Sequence, residues 1–189
     1  MPDDHRASVP GPADAIRPLL RTRQFREFTA VPPTAEELDA IVDAARWSGS
    51  SQNTQPWRFV VIHDEASIRR IAAAGMPLTR SLQTATAAVA IVLPVSPERA
   101  VSLAYDDGRA AERMLIAASM LGLGAGIAWI KADTRPVVAD LLAMPADRMV
   151  RTIVAIGRPT ASARAPKSEP GSARLPRSEV VFEDRWPGG

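Results

Sequence analysis

Trp47-Ser48-Gly49-Ser50-Ser51-Gln52-Asn53-Thr54-Gln55-Pro56-Trp57 runs directly into Arg58-Phe59-Val60-Val61-Ile62. A block of polar residues and glycine between two tryptophans thus gives way to an apolar, strand-like run. Such a loop is costly to order unless something binds it, since fixing each backbone unit costs on the order of 1–2 kcal/mol with no apolar burial in return. Ser, Asn and Gln supply both donors and acceptors, as recognition of a polar ring edge requires. The alternative is a solvated loop.

On its N-terminal side, Thr34-Ala35-Glu36-Glu37 has the spacing of a capping box, and Leu38, Ile41, Val42 and Ala45 follow on one helical face. A short helix is expected over Asp14–Arg21, with Pro18 near its start. Residues 1–12 hold three prolines and a glycine without periodicity and are expected to form a flexible tail, leaving 13–189 as a single domain. Downstream, a helix is expected near Glu65–Ala74, with Ile68 and Ile71 inward. Ala87–Leu93 (AAVAIVL) suits a central strand buried on both faces. Tyr105–Leu121 is the longest expected helix, with Asp106 or Asp107 as N-cap and Gly122 just past its end. Another short helix follows Asp133, Arg151–Ile156 reads as a second central strand, and Val180-Val181-Phe182 is strand-like. Between them, Arg158–Arg177 is too polar to form a core: it is either a disordered tail or an arm that crosses a partner subunit. Helices alternate with three or four short strands, so the class is α/β or α+β with one sheet.

The side chains exclude much chemistry. There is no cysteine, hence no disulfide, thiol nucleophile or cysteine-ligated metal. Only His5 and His63 could serve as imidazole bases, so a Ser-His-Asp arrangement or a histidine-rich metal site is not expected. Gly122-Leu123-Gly124-Ala125-Gly126 follows a helix instead of opening one, which argues for a helix stop and a close-approach turn over a dinucleotide fingerprint. A chain this poor in reactive groups is either not an enzyme or borrows its chemistry from a cofactor. The net charge of +2 is too small for a nucleic-acid footprint, and no apolar run reaches the ~18 residues of a membrane span. The opening MPDDHRASVPGPAD lacks the apolar core of a secretory signal, which predicts a cytoplasmic protein. Of the 23 basic residues all but Lys131 and Lys167 are arginine. Three of them cluster in Arg21-Thr22-Arg23-Gln24-Phe25-Arg26-Glu27-Phe28, a good phosphate seat because the guanidinium fork matches phosphate oxygens.

Together these stretches resemble the nitroreductase family. Arg23-Gln24-Phe25-Arg26-Glu27-Phe28 is similar to its opening arginine-rich motif, and Ser48 through Trp57 to its Pro-Ser-x-x-Asn-x-Gln-Pro-Trp motif. Asp107-Gly108 through Ala118 with Gly122-Leu123-Gly124 resembles its central helix and exit. Ile156-Gly157-Arg158-Pro159 resembles its late strand. The likeness spans roughly residues 14–186. Thr22 stands where many relatives have arginine, Gln24 replaces a frequent serine, and Gly49 replaces the proline.

The resemblance implies an α+β sandwich: a central mixed sheet flanked by helices, in a homodimer with C-terminal arm exchange and two shared FMN sites. Carried over by position, Thr22, Arg23, Gln24, Arg26 and Arg174 would hold phosphate and ribityl. Gly49, Ser50, Ser51 and Asn53 would come from the other subunit to the ring. Ile127, Ala128, Trp129 and Ile130 would lie along the flavin, with a backbone N–H near Trp129 or Ile130 directed at N5. No catalytic side chain and no metal are implied. NADPH or NADH would donate hydride by a ping-pong mechanism to a small electron-poor acceptor such as a nitroaromatic or quinone. Met76, Leu78 and Arg80 are candidates for lining the acceptor pocket. A flavin carrier, or a specialised member acting in flavin cleavage, dehalogenation or peptide tailoring, is the alternative.

Overall fold

A computed structural model describes residues 11–169 and 172–187. His5 and most of the expected N-terminal tail lie outside the described residues. Four strands form one sheet: β1 (Arg58–Ile62), β2 (Ala87–Pro94), β3 (Gly124–Trp129) and β4 (Arg148–Gly157), in spatial order β1-β2-β4-β3. Every neighbouring pair is antiparallel. The mixed sheet expected from the sequence is thus antiparallel across these strands. The only parallel pairing among the described residues is the single bridge Gln24↔Ala125 at the β3 edge.

Alternation along β2 and β4 sorts their side chains into two cores. Val89, Ile91 and Leu93 join Val154 and Ile156 beneath helices α3 (Ala35–Arg46) and α5 (Ala100–Met120). Ala88, Ala90 and Val92 join Ile153 and Ala155 beneath α4 (Glu65–Ala74) and α6 (Arg135–Leu141). The result is a helix–sheet–helix sandwich, the solution for a sheet apolar on both faces. The register slips once: Ile91 pairs with Thr152 but Val92 pairs with Val150, so Arg151 is an extra residue in β4.

Local signals set the helix ends. At α3 the capping box forms, with the Glu37 N–H donating to Thr34 Oγ1 at 3.1 Å and the Thr34 N–H to Glu37 Oε2 at 2.8 Å. The same carboxylate accepts Arg158 Nη2 at 3.0 Å, tying the helix start to the end of β4. The Thr34 N–H and the Arg158 guanidinium hold Glu37 below the usual carboxylate range. Asp64 caps α4 through the N–H groups of Ala66 and Ser67. Gly122 at φ 73° ends α5, and the Leu123 N–H returns to the Ala118 carbonyl at 2.8 Å.

Three expectations are corrected. The helix over 14–21 is two short helices, α1 (Pro12–Ala15) and α2 (Arg17–Arg21), joined at Ile16, with Pro18 in the first turn of the second. α5 begins at Ala100, not at Asp106 or Asp107, because a 3-10 turn over Pro97–Arg99 launches it earlier. Both aspartates lie in its interior, where each finds a tertiary partner. The run 180–182 forms no strand: helices α7 (Ala161–Arg164) and α8 (Arg177–Val180) follow β4, and Val181 is merely extended. A strand needs a ladder partner, and within the described chain none stands beside it.

Candidate functional site

β3 is the edge on which the candidate site is built, and it was not legible as a strand because Gly124-Ala125-Gly126 reads as a turn. The glycines serve its outer side. The Phe25 N–H donates to the Ala125 carbonyl at 2.8 Å, and the Ile127 N–H donates to Gln24 Oε1 at 3.1 Å. The arginine-rich segment therefore lies along the β3 edge, and Gly126 makes that possible. A Cβ there would overlap the Phe25 carbonyl oxygen and stand 3.2 Å from Ser81 Cβ. On Gly124 a Cβ would press on Phe25 and Pro159.

Beside this edge is a concavity of about 240 Å³, bounded by Gln24, Arg26, Leu78, Arg80, Ile127 and Trp129. Arg26 is exposed, with no hydrogen-bond partner in the described chain. Arg80 leans on Glu27 at 3.3 Å. Ser81 also borders the concavity; it is 2% exposed, and its hydroxyl is buried without a partner. Leu78 and Arg80 thus do line the cleft. Met76 is exposed and is not among its walls.

Several sequence-derived residues stand otherwise. Arg23 points away from the concavity: its guanidinium donates to the carbonyls of Ala163 at 3.0 Å, Ala165 at 3.1 Å and Arg164, and lies over the Phe25 ring at 4.8 Å. It closes the C-terminal end of α7. Arg164 in turn donates to the Gly122 carbonyl at 3.0 Å, so the root of the C-terminal segment is held at both ends. The Thr22 hydroxyl donates to the Pro18 carbonyl at 3.1 Å. Arg174 is exposed, its Nη1 on the carbonyl of Ala173. Neither N–H expected to face flavin N5 is free: Trp129 donates to the Leu78 carbonyl at 3.3 Å, and Ile130 to the Arg151 carbonyl at 2.8 Å. An edge strand must satisfy its outward N–H groups. The segment that does so, 77–80, lies about fifty residues away in sequence. Ala128 and Ile130 are buried in the α4/α6 core, whereas Trp129 is 62% exposed.

The Ser48–Gln55 loop stands at the other edge. Phe59 pairs with Ile91, Ile91 with Thr152, and Thr152 with Trp129, so the start of β1 and the end of β3 lie level across the sheet. Three interstrand steps separate them by roughly 14 Å. In one chain, Ser50, Ser51 and Asn53 do not meet Gln24 and Arg26. Gln52, Asn53 and Gln55 all have positive φ (51°, 55° and 46°), a cluster of left-handed non-glycine residues in four positions. Each such residue costs on the order of 1 kcal/mol, which a surrounding network must overcome. Part of that network is internal, with the Gln55 N–H on Ser50 Oγ at 2.9 Å and the Gln55 side chain on Asn53 at 3.3 Å. Gln55 braces the loop.

Two buried aspartates went unrecognised as tertiary anchors. Asp106 receives the Ser51 N–H at 3.1 and 3.3 Å on its two oxygens. Asp107 accepts Thr152 Oγ1 at 2.7 Å, and its second oxygen is buried without a partner. Burial pushes its carboxyl up to about 6, against the lowering influence of the Thr152 hydroxyl and the Arg151 charge. His63 is exposed, and no group of three or more metal-ligating residues occurs among the described residues. No described helix is long and apolar enough to cross a membrane.

This sandwich shares its fold with solved nitroreductases. The chain matches the nitroreductase family model over residues 19–89. It is 26% identical over 189 residues to an NADPH-flavin oxidoreductase of Vibrio harveyi, covering 92% of this chain and 75% of that one. A protein of Archaeoglobus fulgidus, provisionally named NADH dehydrogenase/NAD(P)H nitroreductase, is 25% identical over 154 residues, 77% of this chain and 86% of the relative. Among solved structures, an FMN-dependent nitroreductase from Clostridium difficile R20291 superposes with a TM-score of 0.77 at 22% identity, covering 90% of this chain and 99% of its own.

Proposed function

We propose that the protein is an FMN-dependent oxidoreductase that passes hydride from NADPH or NADH to a small electron-poor acceptor, such as a nitroaromatic or quinone. The observation that carries this is the β3-edge cleft. It joins an arginine without a partner among the described residues, an orphaned buried hydroxyl at Ser81 and the exposed Trp129 ring. Those donors fit an anionic, planar cofactor. Bound FMN would supply the redox chemistry, taking hydride from the nicotinamide and returning it to the acceptor in a ping-pong sequence. The chain's own part is to hold and to exclude. Arg26 offers charge to a phosphate, and Gln24 and Ser81 offer polar atoms to the sugar chain. Trp129 and Leu78 offer apolar surface that keeps water from one side of a ring. Arg23 would act indirectly, by fixing the segment that carries Arg26.

The site would be completed by a second copy. Ser50, Ser51 and Asn53 cannot reach the cleft within one chain, and a homodimer that brings one copy's loop to the other's β3 edge supplies them. Val101, Tyr105 and Met120 on α5, with Leu20 on α2, are each at least 67% exposed, apolar surface that a second copy would cover. Gly108, in the middle of α5, has no atom within 4 Å of where a Cβ would stand. A glycine there weakens the helix by about 1 kcal/mol relative to alanine, a cost that close approach of a partner helix would offset. Gly108→Leu is expected to strengthen the isolated helix yet weaken self-association at least tenfold in analytical ultracentrifugation. Unchanged self-association would place the interface elsewhere. Residues 165–169 and 172–187, largely exposed and with Phe182 against Trp186 at 4.9 Å, would form the exchanged arm. A cytoplasmic location is part of the same proposal.

The test is the absorbance spectrum of the purified protein, repeated anaerobically with NADPH and then NADH. Near-stoichiometric flavin bands that bleach within seconds are expected. Persistent yellow colour with both donors would instead indicate a carrier or a specialised donor, and failure to load FMN would refute the proposal. Arg26→Ala is expected to weaken FMN by roughly 10- to 100-fold, the worth of a charge-assisted contact. Fluorescence titration against apoprotein measures it.

A further inference from the structure

Asp106 is 1% exposed, in the second turn of α5, and desolvating a carboxylate costs several kcal/mol unless its partners repay it. Its partners are few and specific. Both oxygens face the Ser51 N–H, and Arg109 Nη1 stands 3.8 Å from Oδ1. The bond therefore goes to the backbone of the loop, at the residue just before the left-handed pair Gln52–Asn53. Nothing apolar holds that loop until Pro56 and Trp57, which are buried at its exit. A second tie, Arg99 Nη2 to Thr54 Oγ1 at 2.8 Å, also comes from the start of α5. Because Asp106 grips the main chain, the Ser51 hydroxyl and the Asn53 amide nitrogen are left without a partner among the described residues.

We propose that Asp106 is the positioning residue of the flavin-contacting loop. Working through the Ser51 N–H, it holds Ser50, Ser51 and Asn53 in the strained conformation that meets the cofactor ring in the partner's cleft. It acts from behind the loop and touches neither cofactor nor substrate. The inference rests on the FMN function proposed above and adds a residue to it. A buried negative charge one residue behind the ring contacts also disfavours adding electrons to that ring. Asp106 accordingly sets how readily the bound flavin is reduced as well as how tightly it is held.

Wild type, Asp106→Asn and Asp106→Ala are compared by FMN titration, visible spectrum and midpoint potential, alongside thermal unfolding of each apoprotein. Asp106→Asn retains an acceptor for the Ser51 N–H. It is expected to bind FMN within about threefold of wild type, but with a raised midpoint potential and a displaced visible band. Asp106→Ala loses the acceptor and is expected to weaken FMN about tenfold or more, the scale of one charge-assisted hydrogen bond. If both variants lose only thermal stability and keep the wild-type affinity, spectrum and potential, Asp106 is a packing residue and the inference fails. If Asp106→Ala does not fold, the potential and spectrum of Asp106→Asn decide alone, and wild-type values overturn the inference. Wild type that takes up no FMN overturns the flavin function itself and this inference with it. Wild type that binds while the variants match it overturns only the role of Asp106.

Discussion

Gly126→Ala is expected to be the most damaging single substitution at the candidate site, lowering stability by more than about 3 kcal/mol and removing measurable FMN binding. The added methyl would overlap the Phe25 carbonyl oxygen, and backbone gives way far less easily than a side chain. Nor can the two segments slide apart cheaply. They are joined by the Phe25 N–H on the Ala125 carbonyl and by the Ile127 N–H on Gln24 Oε1. Relief requires peeling the 22–26 segment from β3, which strands those groups and moves Arg26 out of the cleft. Thermal unfolding and FMN titration measure the two losses separately. A variant that melts within 2 °C of wild type and binds FMN normally would mean that the edge segment does not pack as described.

The second large effect is a pH dependence centred on Asp107. Burial raises its carboxyl from an ordinary value near 3.8 to about 6, so between those values the folded protein binds a proton that the unfolded chain releases. Stability then falls as pH rises through this window and levels off above it. The shift corresponds to a penalty on the order of 3 kcal/mol for carrying the ionised group at neutral pH. Thr152 supplies its only hydrogen bond among the described residues, while the other oxygen has none. Asp107→Asn removes the charge and keeps an acceptor for the Thr152 hydroxyl. It is expected to equal or fall below wild type at pH 4 and to exceed it in melting temperature at pH 7.5. The difference should grow mainly between pH 4 and 6.5. Parallel melting curves for the two proteins across that range would show that Asp107 does not titrate there.

Much of the scaffold was legible because its causes are local. Thr34 and Glu37 lie three residues apart, and the box they form fixes the start of α3 whatever else the chain does. The period of Ile68 and Ile71 placed α4, and continuous apolar runs placed β2 and β4, because burial on both faces leaves no polar alternation. The motif residues also carried the resemblance to a family, and with it the class of cofactor to be tested.

Tertiary structure decided where polar groups spend their hydrogen bonds. Asp106 and Asp107 look like helix caps in the sequence. Only the fold brings Ser51 and Thr152 to them, from 55 and 45 residues away. Arg23 sits in an arginine-rich motif and reads as a phosphate ligand, yet the carbonyls at 163–165 reach it first. Gly124 and Gly126 read as a turn because nothing local reveals that Phe25 will lie across them, which is what makes their stretch an edge strand. The resemblance assigned the loop at 48–55 to the other subunit's site, and only the sheet shows that the loop and the cleft at Arg26 stand on opposite edges of one chain. Helix periods and caps depend on residues within one or two turns, so a sequence carries them complete. The partner of a buried charge, or the backbone beside a glycine, depends on which distant segments the core draws together, and the folded chain alone settles that.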